Sequence, residues 1–328
     1  MIMKKTLLIA MAAASIFAGC SRNDVIDVNQ ENAISFENTF VDNITRADAT
    51  PKDLTQFHVT SVMTKEAETA LVFNEQEVNK SGSEWTYTPP QYWFAGWDYE
   101  FVAWNGGEIF FDTQYGSALN AYQNNAYCLE INNNNDGYNG DRDIVTAKQT
   151  VKDVTEGYKT PVSLQFSHIL SRVKFGFTNA MGNDLITLKV KNIKIKDACA
   201  FGEYNLRAGD WAGTGSTPVE YTFTETNMIN NATKENSGVK YLIPGFYDKK
   251  VYNSAFTVEV YNDGVLVETK NMTAPINLEA ALVKGTSYEI NAEITAEALA
   301  LNQIVFNNIT VKVWGDYNNQ GITPVETK

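Results

Sequence analysis

Histidine and cysteine are scarce in this chain of 328 residues: two of the first, His58 and His168, and three of the second, Cys20, Cys128 and Cys199. A zinc centre built from these side chains would consume nearly all of them, and neither His opens a His-Glu-x-x-His pattern. Basic residues are outnumbered too. Lys and Arg total 26 against 39 Asp and Glu, a formal net charge of −13, which argues against a face built to grip nucleic acid. Gly213-Thr214-Gly215 lacks the lysine and the spacing of a phosphate loop, and no Gly-x-Ser-x-Gly elbow occurs. A hydrolytic carboxylate pair would leave no fixed spacing to read, so on that point the sequence is silent. The run from Asn132 to Asp143 mimics a calcium loop in spacing but lacks charge and the closing Glu, and reads as a solvated turn. No metal and no cofactor is expected. Apolar residues at 44% and charged residues at 20% exclude wholesale disorder.

The first residues read as an address. Met1 to Lys5 form a short positive region, and Leu7 to Phe17 an uncharged apolar run too short to span a bilayer, which takes about 20 residues. Ala18-Gly19-Cys20 then places small residues before a cysteine, as in a lipobox with Cys20 as the lipidated first residue. Residues 1–19 thus read as a signal peptide and 20–33 as a polar, acidic tether between the lipid and the first strand. Losing Lys4 and Lys5 with the signal takes the charge from −13 to −15. Cys128 and Cys199 lie far apart in sequence and are expected to be buried, unpaired thiols.

Period-two alternation dominates the rest. It appears in Ile34 and Phe36, in Phe57 and Val59, in Ile186, Leu188 and Val190, in Phe256, Val258 and Val260, and in Ile309, Val311 and Val313. In Tyr99 to Trp104 both parities are apolar, as in a strand covered on both faces. Turns such as Asp263-Gly264 separate the runs. Helical signals are confined to Ser117–Gln123 and Leu278–Val283. Many short, turn-bounded strands predict an all-β chain of sandwiches. The turn from Thr178 to Asp184 is the best boundary, giving β-sandwiches over 34–180 and 181–328.

His168 shares parity with Leu164, Phe166 and Leu170, and is expected to be a core residue. The parity then shifts to Val173, Phe175 and Phe177, which calls for a bulge or kink near Ser171-Arg172. Trp85, Trp93, Trp97 and Trp104 cluster with Tyr87, Tyr92, Phe94, Tyr99 and Phe101. Such a cluster is either a sandwich core or a sugar-stacking platform, for which Trp93 and Trp97 are the candidate contacts.

These blocks, in order, resemble the fimbrillin (type V pilin) superfamily of Bacteroidota surface lipoproteins. The blocks are the lipobox, Ile44-Thr45-Arg46-Ala47, Trp85 to Trp93, Tyr99 to Trp104, Asp143 to Ala147, Phe166 to Phe175, Tyr241 to Gly245, Lys284 to Ile290 and the strand Ile309 to Trp314. The resemblance implies two tandem transthyretin-like β-sandwich domains with Greek-key topology. It also implies a non-enzymatic structural, tip or accessory subunit of the fimbrium on the cell outer membrane. Its partners would be other fimbrial subunits, with room for a host or bacterial surface ligand. A surface protease would cut after Arg46, before Ala47, and release a first strand carrying Ile34, Phe36 and Phe40. A strand of another subunit would fill the groove. The candidate donor is Ile304, Phe306, Ile309, Val311 and Val313. A surface glycan-binding lipoprotein or adhesin is the competing reading, and it rests on the aromatic cluster.

Overall fold

The computed structural model describes residues 32–40, 54–133, 137–215, 217–244 and 249–313. The calls on Cys20, Arg46 and Ala47 fall outside these residues.

The chain is all β, as expected. The first half gives β1 (Phe36–Phe40), β2 (Gln56–Lys65), β3 (Glu68–Ser81), β4 (Glu84–Thr86), β5 (Asp98–Asn105), β6 (Glu108–Phe110), α1 (Ala118–Gln123), β7 (Cys128–Asn132), β8 (Val145–Val151) and β9 (Val162–His168). The second gives β10 (Ser171–Asn179), β11 (Ile186–Cys199), β12 (Phe201–Asn205), β13 (Asp210–Thr214), β14 (Pro218–Thr222), β15 (Lys234–Asn236), β16 (Lys240–Leu242), β17 (Val251–Asn262), β18 (Val265–Asn277), β19 (Thr286–Ile294), α2 (Ala296–Ala300) and β20 (Phe306–Val313). Helix α1 lies where expected, with the Ser117 hydroxyl accepting from the Asn120 N–H. Leu278–Val283 is not helical. Leu278 and Leu282 are buried, and the Leu278 N–H bonds the Lys250 carbonyl, so tertiary anchoring overrides a spacing of four. Helix α2 was not anticipated; its one local cue is Thr295, which caps the Ala298 N–H.

Seven strands form a sheet in the order β1-β9-β8-β5-β2-β3-β4. One face encloses a core of Phe57, Val59, Phe73, Phe101, Leu164 and Phe166. The other face of β2 and β5, with Val62, Val102 and Trp104, packs under α1 and a sheet ordered β13-β12-β7-β6. Strand β5 is therefore covered on both faces, which is why both of its parities are apolar. The second half packs the sheet β15-β10-β19-β20, with β16 also on β10, against β14-β11-β17-β18. Phe175, Phe177, Phe256 and Phe306 meet between them.

A division at 180/181 would separate β10 from its partners, since β10 bonds to β15, β16 and β19. The chain changes sheets at Ile169 and Leu170, both fully buried. The parity shift after Leu170 thus reflects two different sheets, not a bulge within one strand. The halves are also knitted together. Strand β12 pairs with β7, so one sheet takes two strands from each half. The Arg207 guanidinium donates to Glu100 at 2.8 Å and to the Tyr122 carbonyl at 3.3 Å. Burial pushes the Glu100 carboxyl up, but the Tyr122 hydroxyl, Lys148 and Arg207 outweigh it and hold it below the usual carboxylate value. Tyr138 donates to the Tyr241 carbonyl at 2.6 Å, and buried Lys240 pairs with Asp141 at 2.5 Å.

His168 is buried at this crossing, its Nδ1 2.6 Å from Asp143 Oδ2. The second oxygen of Asp143 accepts the Ile144 N–H. Both oxygens of Asp143 are therefore tied into the fold. Cys128 on β7 and Cys199 on β11 are free and buried, and burial lifts the Cys128 thiol to about 11.

Candidate functional site

The candidate site is the first strand and the cleft that it fills. Strand β1 lies parallel to β9, with Phe36 opposite Val162 and Phe40 opposite Phe166. Before β1 the chain forms an antiparallel bridge between Ala33 and Tyr92. There the Ile34 N–H donates to the Gln91 carbonyl at 2.8 Å and the Trp93 N–H to the Asn32 carbonyl at 3.2 Å. The segment after β4 is thus bonded to the segment leading into β1, which links the two ends of the sheet. Tyr87 ties the seam by donating its hydroxyl to the Ile34 carbonyl at 2.6 Å. Burial raises that phenol to about 12, so it stays a donor at any physiological pH.

Alternation turns Ile34 and Phe36 inward, and both are buried. The Phe36 ring meets Phe73 at 5.5 Å, Phe57 at 5.6 Å, Tyr87 at 5.7 Å and Phe101 at 6.1 Å, three of the four edge-on. Ser35 and Glu37 face solvent. Phe40 is placed by its backbone alone.

The other candidates separate. Trp93 is buried and edge-on to Tyr99 at 4.8 Å and to Tyr158 at 5.0 Å, so it offers no ring face to a sugar. This corrects the glycan-contact expectation for Trp93: the segment bonded to its backbone at Asn32 closes over this ring and holds it in the core. Trp97 is half-buried against the same core. In the proposed donor segment Ile304 and Phe306 are buried in their own chain and Ile309 is partly buried, whereas Val311 and Val313 are more than half exposed. A bulge opposite Asn291 and Ala292 lets Phe306 turn inward.

One constellation was missed. Glu108, Glu130 and Glu203 stand directly opposite one another across β6, β7 and β12. Each is a single Glu between apolar neighbours, and only strand register reveals the row. Desolvation, then the neighbouring Glu130 charge, raises the Glu203 carboxyl. Glu130→Gln keeps the acceptor that Asn132 uses at 3.2 Å while removing the central charge. It should raise the unfolding free energy at pH 7 by about 0.5 to 1 kcal/mol. A carboxyl raised by folding favours the folded state most below its unfolded value, and that contribution is lost as pH rises through the folded one. The variant's advantage should therefore grow with pH across the carboxylate range and vanish in acid, as urea unfolding at a series of pH values would show.

The fimbrillin-like family profile matches residues 45–314. A fimbrial protein from Bacteroides vulgatus is similar in structure, with a TM-score of 0.57 and 14% identity over 86% of this chain and 99% of that one. A candidate cell adhesion protein from Bacteroides uniformis gives 0.50 and 16% over 86% and 99%. No curated protein matches the chain. At such identities the structures speak for a shared fold, and the profile covers most of the sequence from β2 to the end of β20. By that match the chain belongs to the fimbrillin-like family.

Proposed function

We propose that this protein is a fimbrial subunit or adhesin of the bacterial surface that accepts a strand from another subunit in place of β1. It is exported as a lipoprotein on Cys20 and trimmed after Arg46. The observation that carries this reading is the position of β1. It is an edge strand, bonded along its length to β9, yet it plugs a cleft walled by Phe57, Phe73, Tyr87 and Phe101. The family match starts at residue 45, so β1 stands outside the matched region and Arg46 just inside it. While the chain is intact, β1 is held at the high effective concentration of a tethered segment. A cut after Arg46 makes it a dissociable peptide. Its loss exposes a strand edge and an apolar cleft, which accept an extended segment by β-augmentation. Removing residues 20–46 takes five acids and two bases, and moves the charge from −15 to −12. Val311 and Val313 offer exposed alternating side chains for donation, while Ile304 and Phe306 serve their own core. The partners are other fimbrial subunits, and the scheme asks for no catalysis by this chain.

Digestion of the purified precursor with an Arg-specific protease should release the segment ending at Arg46, and Arg46→Ala should block that release. The trimmed protein, alone or mixed with a second fimbrial subunit, should form higher-mass species on native gels. Trimmed protein that stays monomeric in both settings would remove the strand-exchange reading.

A further inference from the structure

The outer edge of β18 has an unusual apolar end. Among the described residues β18 pairs with β17 alone and ends its sheet. Its two halves differ. Toward the C-terminus, Met272, Ala274 and Ile276 are buried. Toward the N-terminus, Val265, Leu266 and Val267 are 65, 49 and 57% exposed, and Leu185, whose carbonyl accepts the Asp263 N–H, is 59% exposed. Four large apolar side chains thus crown the end of a protruding hairpin, a pattern that soluble surfaces avoid unless something covers it.

The strand also limits what can pair with it. The Asp263-Gly264 turn ends the usable edge on one side. Pro275 has no N–H and ends it on the other. Between these limits, with a bulge at Val267, Glu268 and Lys270 are the only charged residues, and Thr269 lies between them. A second copy of this strand, laid antiparallel about a two-fold axis at Thr269, puts Glu268 opposite Lys270 of the second copy and Lys270 opposite its Glu268. Within one chain these two side chains already approach to 3.4 Å, at 47 and 29% exposure, so they point the same way and are free to exchange partners. Two-fold symmetry then satisfies both charges twice and sets Val267 opposite Asn271 of the second copy.

We propose that β18 joins two copies of this protein edge to edge, merging two four-stranded sheets into one of eight. The surface lies in the opposite half of the chain from β1 and needs no proteolysis, so it stands or falls apart from strand exchange. The test is light scattering coupled to size exclusion on the uncut protein, with circular dichroism to verify folding. Wild type should show a concentration-dependent dimer. Glu268→Lys and Lys270→Glu should each weaken it about tenfold or more, because each sets like charges opposite one another. The double exchange E268K with K270E should restore it. A monomer at every attainable concentration overturns the proposal. So does a dimer that ignores both single reversals, or single reversals that the double exchange fails to rescue.

Discussion

Phe36→Ala is expected to lower the unfolding free energy by about 3 to 5 kcal/mol, measured by urea denaturation of the uncut protein. The range is that of a buried phenylalanine truncated to alanine, where lost transfer energy and the cavity left behind add together. Phe36 should sit toward its upper end. Its four ring partners come from β2, β3, β5 and the segment after β4, so no single element can move in to fill the space. Phe36→Leu keeps most of the volume and should cost about 1 to 2 kcal/mol, chiefly in lost edge-on ring contacts. Val311→Ala, in the exposed part of β20, should stay within about 0.5 kcal/mol of wild type. The same truncation bears on function. After cleavage at Arg46, β1 is held by its backbone ladder and by Ile34 and Phe36, so Phe36→Ala should speed its departure. Equal stability for Phe36→Ala and wild type would mean that β1 does not plug the cleft.

Sequence pattern reads well where one physical rule acts alone. Alternation in β17 identifies a strand because one face is wet and the other dry. Strand β5 betrays its two cores because Val102 and Trp104 interrupt the expected polar parity. His168 is legible as a core residue, but not Asp143 as its partner, since the two are 25 residues apart and meet only when β9 ends beside the loop before β8. The aromatic cluster could be recognised but not divided. Trp93 and Phe94 are neighbours, and the first is buried while the second is half exposed. What decides between them is the Asn32 to Ile34 segment bonded to Gln91 and Trp93, a contact about sixty residues distant. Register is likewise invisible, which hides both the Glu108, Glu130 and Glu203 row and the crossing of β12 into the first half. A turn signal at Thr178 to Asp184 marks a real turn between β10 and β11. It marks no boundary, because hydrogen-bond partnership and not turn chemistry decides which strands belong together.

The halves should therefore unfold together, and Gly140→Ala is the substitution that tests why. Gly140 sits at φ +80°, where an added methyl costs about 1 to 2 kcal/mol in backbone strain. The methyl would also lie 2.9 Å from Tyr221 Cδ1 and 3.2 Å from the Tyr241 carbonyl. Neither neighbour can yield easily. Tyr221 is fully buried, and Tyr241 is fixed by its N–H to the Gly140 carbonyl at 2.8 Å and by the Tyr138 hydroxyl on its own carbonyl. Overpacking of this kind adds about 1 to 3 kcal/mol, for a total of about 2 to 5. Gly82→Ala is the matched control. Gly82 has φ +62° but nothing within 4 Å of an added methyl, so it carries the strain without the clash and should cost about 1 to 2 kcal/mol. The difference between the two variants isolates close packing where the 137–144 loop of the first half docks on β14 and β16 of the second. If that packing couples the halves, wild type should lose near-ultraviolet and far-ultraviolet circular dichroism in one urea transition, and Gly140→Ala should separate the two signals while Gly82→Ala does not. Equal costs for the two glycines, with coincident transitions in both, would place the coupling elsewhere, in the β7 and β12 ladder and the Arg207 to Glu100 clamp.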